Sequence, residues 1–391
     1  MAIEGTEAAA GSPQWAAIGG VIATVTVFSV AQGLTYPLLS FILQRQGTPS
    51  SLIGLSAAMT PLGFIASSAF IPISARRFGA GTTALTCAGL AALLLALIGW
   101  TQNLWPWFPL RFLLGFVVNP LYVLSETWML TLTPPARRGR VMGTYTSLIS
   151  AGFGAGPLAL SVTGSEGWPP FMVGIIAFIG CAGVLVAVLP RLPELHNGKD
   201  EPSVLRFLSV APLLLFAVAV VAAFEHALLS LTTVYGRAYG SSDEAVSAFL
   251  TTFILGNVVL QIPLGLIAER IGSRKVLIAC AIVLMLGSML LPVSFGTPSA
   301  WPLAFVWGAA SFGIYTMALV QLGDRFSGAM LVAGNAAFAL VWGVGGIIGP
   351  PVTGAVMDVV GVQGLPLVMG MLTLLLFVLH VARRDGRPAG P

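Results

Sequence analysis

A chain of 391 residues with 57% hydrophobic and 8% charged side chains, against about 25% charged in an ordinary soluble protein, carries more apolar surface than a water-soluble fold can hide. Its mean hydropathy of +0.93 calls for lipid as solvent, which excludes a soluble enzyme, a nucleic-acid binder and a disordered protein. The net charge of +4 and pI near 9.2 come from Lys and Arg scattered over short loops, a pattern that orients a membrane protein and not a phosphate-binding stripe.

The first fifteen residues carry Glu4 and Glu7 and no Lys or Arg, so they lack the basic start of a secretory leader. The apolar run that follows reads as a retained first span. A spanning helix needs about 20 mostly apolar residues. Twelve stretches qualify: 16–43, 52–74, 82–101, 106–131, 141–163, 170–190, 207–234, 245–268, 276–295, 301–322, 330–356 and 365–382. The long polar interruption, Pro190 to Pro202, falls near the middle. It separates a first six-span half over 1–190 from a second over 207–391, with a linker over 191–206.

Twelve crossings return both termini to one side. The loops on that side hold Arg76, Arg77, Arg137, Arg138, Arg140, Arg191, Lys199, Arg206, Arg270, Arg274, Lys275, Arg325, Arg383, Arg384 and Arg387, whereas the opposite loops hold Arg45 and Arg237. Fifteen basic residues against two place the termini and the linker in the cytoplasm. Cys87, Cys181 and Cys280 each stand alone in an apolar stretch, so they read as small buried hydrophobes and not as metal ligands or a disulfide framework.

Sliding the chain against itself by 193 residues aligns Gly47 with Gly240, Gly63 with Gly256, Gly115 with Gly308 and Tyr122 with Tyr315. The same register pairs Arg77-Phe78-Gly79 with Arg270-Ile271-Gly272, and Gly152-x-x-x-Gly156-Pro157 with Gly345-x-x-x-Gly349-Pro350. Six spans per half is an even number, so the halves are parallel repeats about an axis along the membrane normal, an arrangement that puts a binding site near mid-membrane where the repeats meet.

The eighth span ends in Gly265-x-x-x-Glu269-Arg270-x-Gly272-Ser273-Arg274-Lys275, which resembles the inner-loop signature of the major facilitator superfamily. The first-half copy, Pro72-Ile-Ser-Ala-Arg76-Arg77-Phe78-Gly79, has Arg76 where that signature has an acid. Arg111-x-x-x-Gly115 is similar to the family's helix-4 arginine motif, and Gly152-x-x-x-Gly156-Pro157 to a helix-5 motif of its antiporters. Glu126-Thr127-Trp128, Arg138-Gly139-Arg140, Gln261-Ile262-Pro263-Leu264-Gly265 and Leu322-Gly323-Asp324-Arg325-Phe326 resemble its YcaD-type branch. The resemblance implies an all-α, twelve-helix inner-membrane carrier that moves a small organic solute by alternating access, as a monomer and without a cofactor. No GxxxxGK[ST] loop occurs, so an ion gradient is the expected driving force, with protons favoured. A proton-driven efflux antiporter is the second reading, and a receptor or assembly factor that binds without transport the third.

Polar groups inside spans need a reason, since a charge at a helix centre costs about 2.5–3.5 kcal/mol on insertion scales. Arg111 lies six residues inside Trp105, so it either snorkels to an interface marked by Trp105 and Trp107 or stands at the central cavity as an anion or proton-coupling site. Glu126 lies fifteen residues further on, about 22 Å away. It reads either as a latch to Arg138 or Arg140 at the inner gate or as a proton or substrate carboxylate. Glu225, which the repeat pairs with Gln32, reads either as the proton-coupling residue or as a structural hydrogen-bonding group held by another helix. His226, its neighbour, points about 100° away, so the two are not expected to face one spot. Met285-x-x-x-Met289 reads as packing ahead of a copper site. The glycines with Pro157 and Pro350 read as sites of helix bending or of close helix packing.

Overall fold

The computed structural model describes residues 15–134, 137–194, 204–326 and 328–382. The first half comprises α1 (Trp15–Arg45), α2 (Ser50–Ser68), α3 (Ile71–Phe78), α4 (Ala80–Thr101), α5 (Leu104–Leu132), α6 (Arg138–Thr163) and α7 (Pro169–Val188). The second comprises α8 (Val204–Val210), α9 (Pro212–Ala238), α10 (Asp243–Ile271), α11 (Ser273–Ser294), α12 (Ala300–Arg325), α13 (Gly328–Val360) and α14 (Gly364–Ala382). Twelve of these helices are long and apolar enough to cross a membrane. The chain is therefore an all-α, multi-pass membrane protein.

Two spans fall short of an expected end by five residues or more, both because of proline. The second ends at Ser68 and not at 74, because Pro72 has no N–H for the Ser68 carbonyl; the chain turns at Ala69 and Phe70 and restarts as the short basic helix α3. Asn119 of α5 steadies this break, its Nδ2 donating to the Phe64 carbonyl at 3.0 Å and to Ser67 Oγ at 2.9 Å. The seventh span begins at Pro212 and not at 207, since Pro212 holds Ala211 out of the helical region and leaves α8 as a separate turn of helix. Residues 195–203 of the linker and the basic residues Arg383, Arg384 and Arg387 lie outside the described residues.

The repeat is present in the backbone. Gly79 and Gly272, 193 positions apart, both take left-handed φ values (85° and 94°) that break α3 from α4 and α10 from α11, a conformation that only glycine adopts freely. Helix contacts repeat as well. A Cβ on Gly115 would strike the Thr60 carbonyl and one on Gly308 the Phe253 carbonyl, so α5 meets α2 and α12 meets α10 backbone to backbone. In the same way Gly152 and Gly156 seat α6 on Thr26 and Leu34 of α1, and Gly345 and Gly349 seat α13 on Ala219 and Ala223 of α9. The expected glycine motif thus serves close packing inside each half, while α6 and α13 run through Pro157 and Pro350 without a break. Between the halves, α2 packs along α13 and α6 along α10. Trp105 is 70% exposed, as a belt residue should be, but Trp107 is fully buried with its Nε1–H on the Ile98 carbonyl at 3.0 Å.

Candidate functional site

Where the halves meet, a cavity of about 280 Å³ is lined by Gln32 and Tyr36 of α1, Phe64 of α2, Tyr122 of α5, Ile149, Ser150 and Phe153 of α6, Glu225, His226 and Leu229 of α9, Phe253 and Ile254 of α10, Phe312 of α12 and Trp342 of α13. Three pairs of lining residues are separated by the repeat offset of 193: Gln32 with Glu225, Tyr36 with Leu229, and Ile149 with Trp342. The cavity therefore lies on the axis relating the halves, where each contributes the same positions with different chemistry.

Glu225 is 4% exposed, and its Oε1 accepts the Ser311 hydroxyl of α12 at 2.8 Å. His226 lies 2.8 Å through Nδ1 from the Ala222 carbonyl one turn back, a contact that requires the hydrogen on Nδ1 and leaves Nε2 as an acceptor in the neutral ring. Its imidazole sits between Tyr36 of the first half, with ring centroids 5.8 Å apart, and Trp342 of the second, 6.1 Å away. Gly346 makes room for it, since a Cβ there would lie 3.0 Å from Nε2. Contrary to the sequence expectation, Glu225 and His226 both line the cavity. Neighbours 100° apart on a helix can do so because the cavity borders two adjoining faces of α9, one carrying Glu225 and Leu229 and the other His226.

Arg111 is placed elsewhere. It is fully buried between α5 and α2, which overturns the snorkelling alternative, and its Nη1 reaches Ser56 Oγ at 3.3 Å while Nε and Nη2 have no hydrogen-bond partner. It stands behind Tyr36, near enough for the guanidinium and phenol to interact, but does not line the cavity. Glu126 is exposed on the half of α5 nearer the termini, within electrostatic reach of Tyr145 and Tyr315. The side chains of Arg138 and Arg140, its expected partners, lie outside the described residues. Arg76, Arg77, Glu269 and Arg270 are exposed at the helix ends on that face. Met285 and Met289 sit in an outward groove against α14, away from the cavity, and no group of three or more His, Cys, Asp or Glu suited to a metal occurs among the described residues.

On the face opposite the termini the two halves are bound together. Arg45 Nη1 pairs with Asp243 Oδ2 at 2.6 Å, and both Arg45 and Asp243 bond to Ser165. Asp358 accepts the backbone N–H groups of Ser50 at 2.8 Å and Ser51 at 3.0 Å, capping α2 from the other half. Arg237 Nη1 donates to Gln44 Oε1 at 3.2 Å.

Sequence reasoning missed the rings that make up half of the lining, Tyr36, Phe153, Phe253 and Trp342 among them, and also Ser311. In a chain with 22 Phe and 9 Trp, aromatic content alone marks no position. A usable signal was the repeat itself, which carries Gln32 to Glu225 and Ile149 to Trp342.

A twelve-helix membrane protein built from two repeats around one cavity on their axis has the architecture of a secondary transporter. The model of the Major Facilitator Superfamily matches residues 21–242 and 214–391, and the chain belongs to that superfamily. It is a transport protein and not an enzyme. YfkF of Bacillus subtilis (strain 168), described as an uncharacterized MFS-type transporter, is 28% identical over 353 residues, 86% of this chain and 88% of its own. Ent638_1421 of Enterobacter sp. (strain 638), described in the same terms, is 22% identical over 93% of this chain and 95% of its own. In fold, the nucleoside transporter NupG superposes with a TM-score of 0.79 at 15% identity, covering 95% of this chain and all of its own. A bacterial homologue of the lysosomal transporter Spinster gives 0.76 at 13% identity over 95% and 96%.

Proposed function

We propose that the chain is a proton-coupled carrier that moves a small organic solute across the cell inner membrane by alternating access, as a monomer with both termini in the cytoplasm. The observation that supports this best is Glu225. It is a buried carboxylate on the axis between the halves, held by one neutral donor, Ser311, and among the described residues of the lining it has no Lys or Arg beside it. A carboxylate so placed must be protonated or paired with a cation, because an uncompensated buried charge is expensive. It is therefore suited to bind a proton in one conformation and release it in the other.

Gln32 faces Glu225 from the other half and, with His226, supplies the polar contacts to solute. Arg111 acts from behind Tyr36. Glu126 with Arg138 or Arg140, and Arg76, Arg77, Gly79, Gly265, Glu269, Arg270 and Gly272, form the cytoplasmic gate, which closes as the opposite face opens. In this orientation the ties through Arg45, Asp243, Ser165 and Asp358 close the outer side, so the conformation faces inward.

The direction of transport is read as export. Arg111, the anchor that an anionic metabolite would use, does not line the cavity, and the lining is aromatic and nearly free of charge, as an amphiphile pocket should be. The test is a panel of cationic, neutral and anionic solutes added to liposomes holding the purified protein and an internal pH dye, with and without an imposed proton gradient. Solute-evoked proton movement is the result expected. Solute binding without movement of solute or protons, in both directions, would favour a receptor.

A further inference from the structure

The cavity's chemistry specifies its solute more narrowly than "small and organic". Its walls carry seven aromatic rings apart from the imidazole: Tyr36, Phe64, Tyr122, Phe153, Phe253, Phe312 and Trp342. Six of them pair with one another across neighbouring helices, Tyr36 with Phe153, Phe64 with Tyr122 and Phe253 with Phe312, with centroids 6.5, 6.3 and 6.4 Å apart and planes tilted by 45°, 55° and 51°. Ring faces are negative, so walls built from them attract a cation, most strongly when it is poorly hydrated and spreads its charge over methyl or aryl groups. Among the described residues the lining holds one carboxylate, Glu225, and no Lys or Arg.

The other titratable groups near Glu225 do not change that balance. His226 shares α9 and has its Nδ1 hydrogen on the Ala222 carbonyl; Tyr36 comes from α1, Tyr122 from α5 and Tyr315 from α12, and all three are phenols. Among the described residues, α10 and α6 give the cavity Phe253, Ile254, Ile149, Ser150 and Phe153, none of them titratable, and α13 gives it Trp342. Arg111 is screened from the cavity by Tyr36.

We infer that the solute is a monovalent organic cation with a flat apolar body, held by the rings and Glu225 and exchanged there for one proton. The inference rests on the carrier reading and deepens it. Proton and cation are alternative partners for the same carboxylate, so one proton leaves Glu225 for each positive charge that enters, and the exchange is electroneutral at that residue. The cavity of about 280 Å³ is at the small end of ligand pockets, which run to about 1,000 Å³, so a single ring bearing a quaternary ammonium suits it better than a large polycyclic drug.

The probe pair is benzyltrimethylammonium and neopentylbenzene, which have the same shape and differ in one charge, with phenylacetate as the anionic counterpart. Equilibrium binding to the purified full-length protein is measured at two pH values. The cation is expected to bind at least about tenfold more tightly than its neutral isostere, more tightly at the higher pH, and without competition from phenylacetate. Glu225→Gln keeps the side chain's shape and the Ser311 contact and is expected to lose at least tenfold for the cation with little change for the hydrocarbon. Trp342→Ala is expected to weaken the cation more than Trp342→Phe does. Equal affinity for the isosteres on the wild-type protein, a comparison that needs no variant to fold, would overturn the inference, as would tighter binding of phenylacetate. Proton flux evoked by an anionic or neutral solute and lost in Glu225→Gln would overturn the solute class while leaving the carrier intact. Absence of both solute movement and proton flux with every solute would instead remove the carrier reading on which the class depends.

Discussion

Arg45 Nη1 lies 2.6 Å from Asp243 Oδ2, an ion pair that joins the last turn of α1 in the first half to the first turn of α10 in the second. The repeat explains its place. Asp243 occupies the position that Ser50 holds in the first half, and Ser165, bonded to Asp243, corresponds to Asp358, which caps Ser50 and Ser51. The same two positions thus meet twice across the molecule, with the acid on the helix start in one junction and on its partner in the other. Both carboxylates come from the second half and all the donors from the first.

If these junctions hold the face closed, removing them shifts the carrier towards its other state. Both side chains of the ion pair are about three-quarters buried, and a partly exposed pair contributes up to about 1 kcal/mol, roughly fivefold in a two-state equilibrium. Asp243→Asn and Asp358→Asn are each expected to raise the open population by about that factor. The junctions are separate, so the effects should multiply in the double variant. Spin-label distances between positions 46 and 241 would report the opening; distances unchanged in the double variant would contradict the assignment.

Close backbone approach predicts a symmetric cost for small insertions. Gly115→Ala and Gly308→Ala each push a methyl group onto a carbonyl of the neighbouring helix, Thr60 and Phe253 respectively. Over-packing of this kind costs about 1–3 kcal/mol. Thermal unfolding in detergent should show a lowered Tm for both, whereas Gly265→Ala, where a Cβ has open space, should lie near wild type.

Arg111 predicts opposite effects on stability and function. Two of its guanidinium nitrogens have no partner, so Arg111→Met removes a poorly compensated charge and is expected to leave Tm equal or higher. Transport should still fall, by about tenfold or more, if the charge behind Tyr36 tunes the cavity. A variant as active as wild type would make Arg111 dispensable.

Much of this architecture is legible in the sequence, because lipid imposes it. A span must be long, apolar and self-satisfied in its hydrogen bonds, and twelve such stretches and their repeat can be read directly. The misplaced ends at Ser68 and Pro212 trace to proline, whose missing N–H acts on residues up to four positions earlier, which a hydropathy window averages away. The site was half legible. Glu225 and Gln32 are conspicuous as polar residues in apolar runs, whereas Ser311 and Trp342 matter only through partners on other helices. Arg111 was readable as costly but not as hidden behind Tyr36, since burial at one end of a span depends on how α5 packs against α2.

The central claim is that Glu225 couples solute movement to protons. The most direct test compares wild type and Glu225→Gln in liposomes, following solute exchange and internal pH together. The account predicts that wild type moves protons with solute, whereas the variant still exchanges labelled for unlabelled solute but moves no protons and no longer responds to an imposed gradient. Proton movement of wild-type size in Glu225→Gln would contradict it and transfer coupling to another residue, with Glu126 next to be tested.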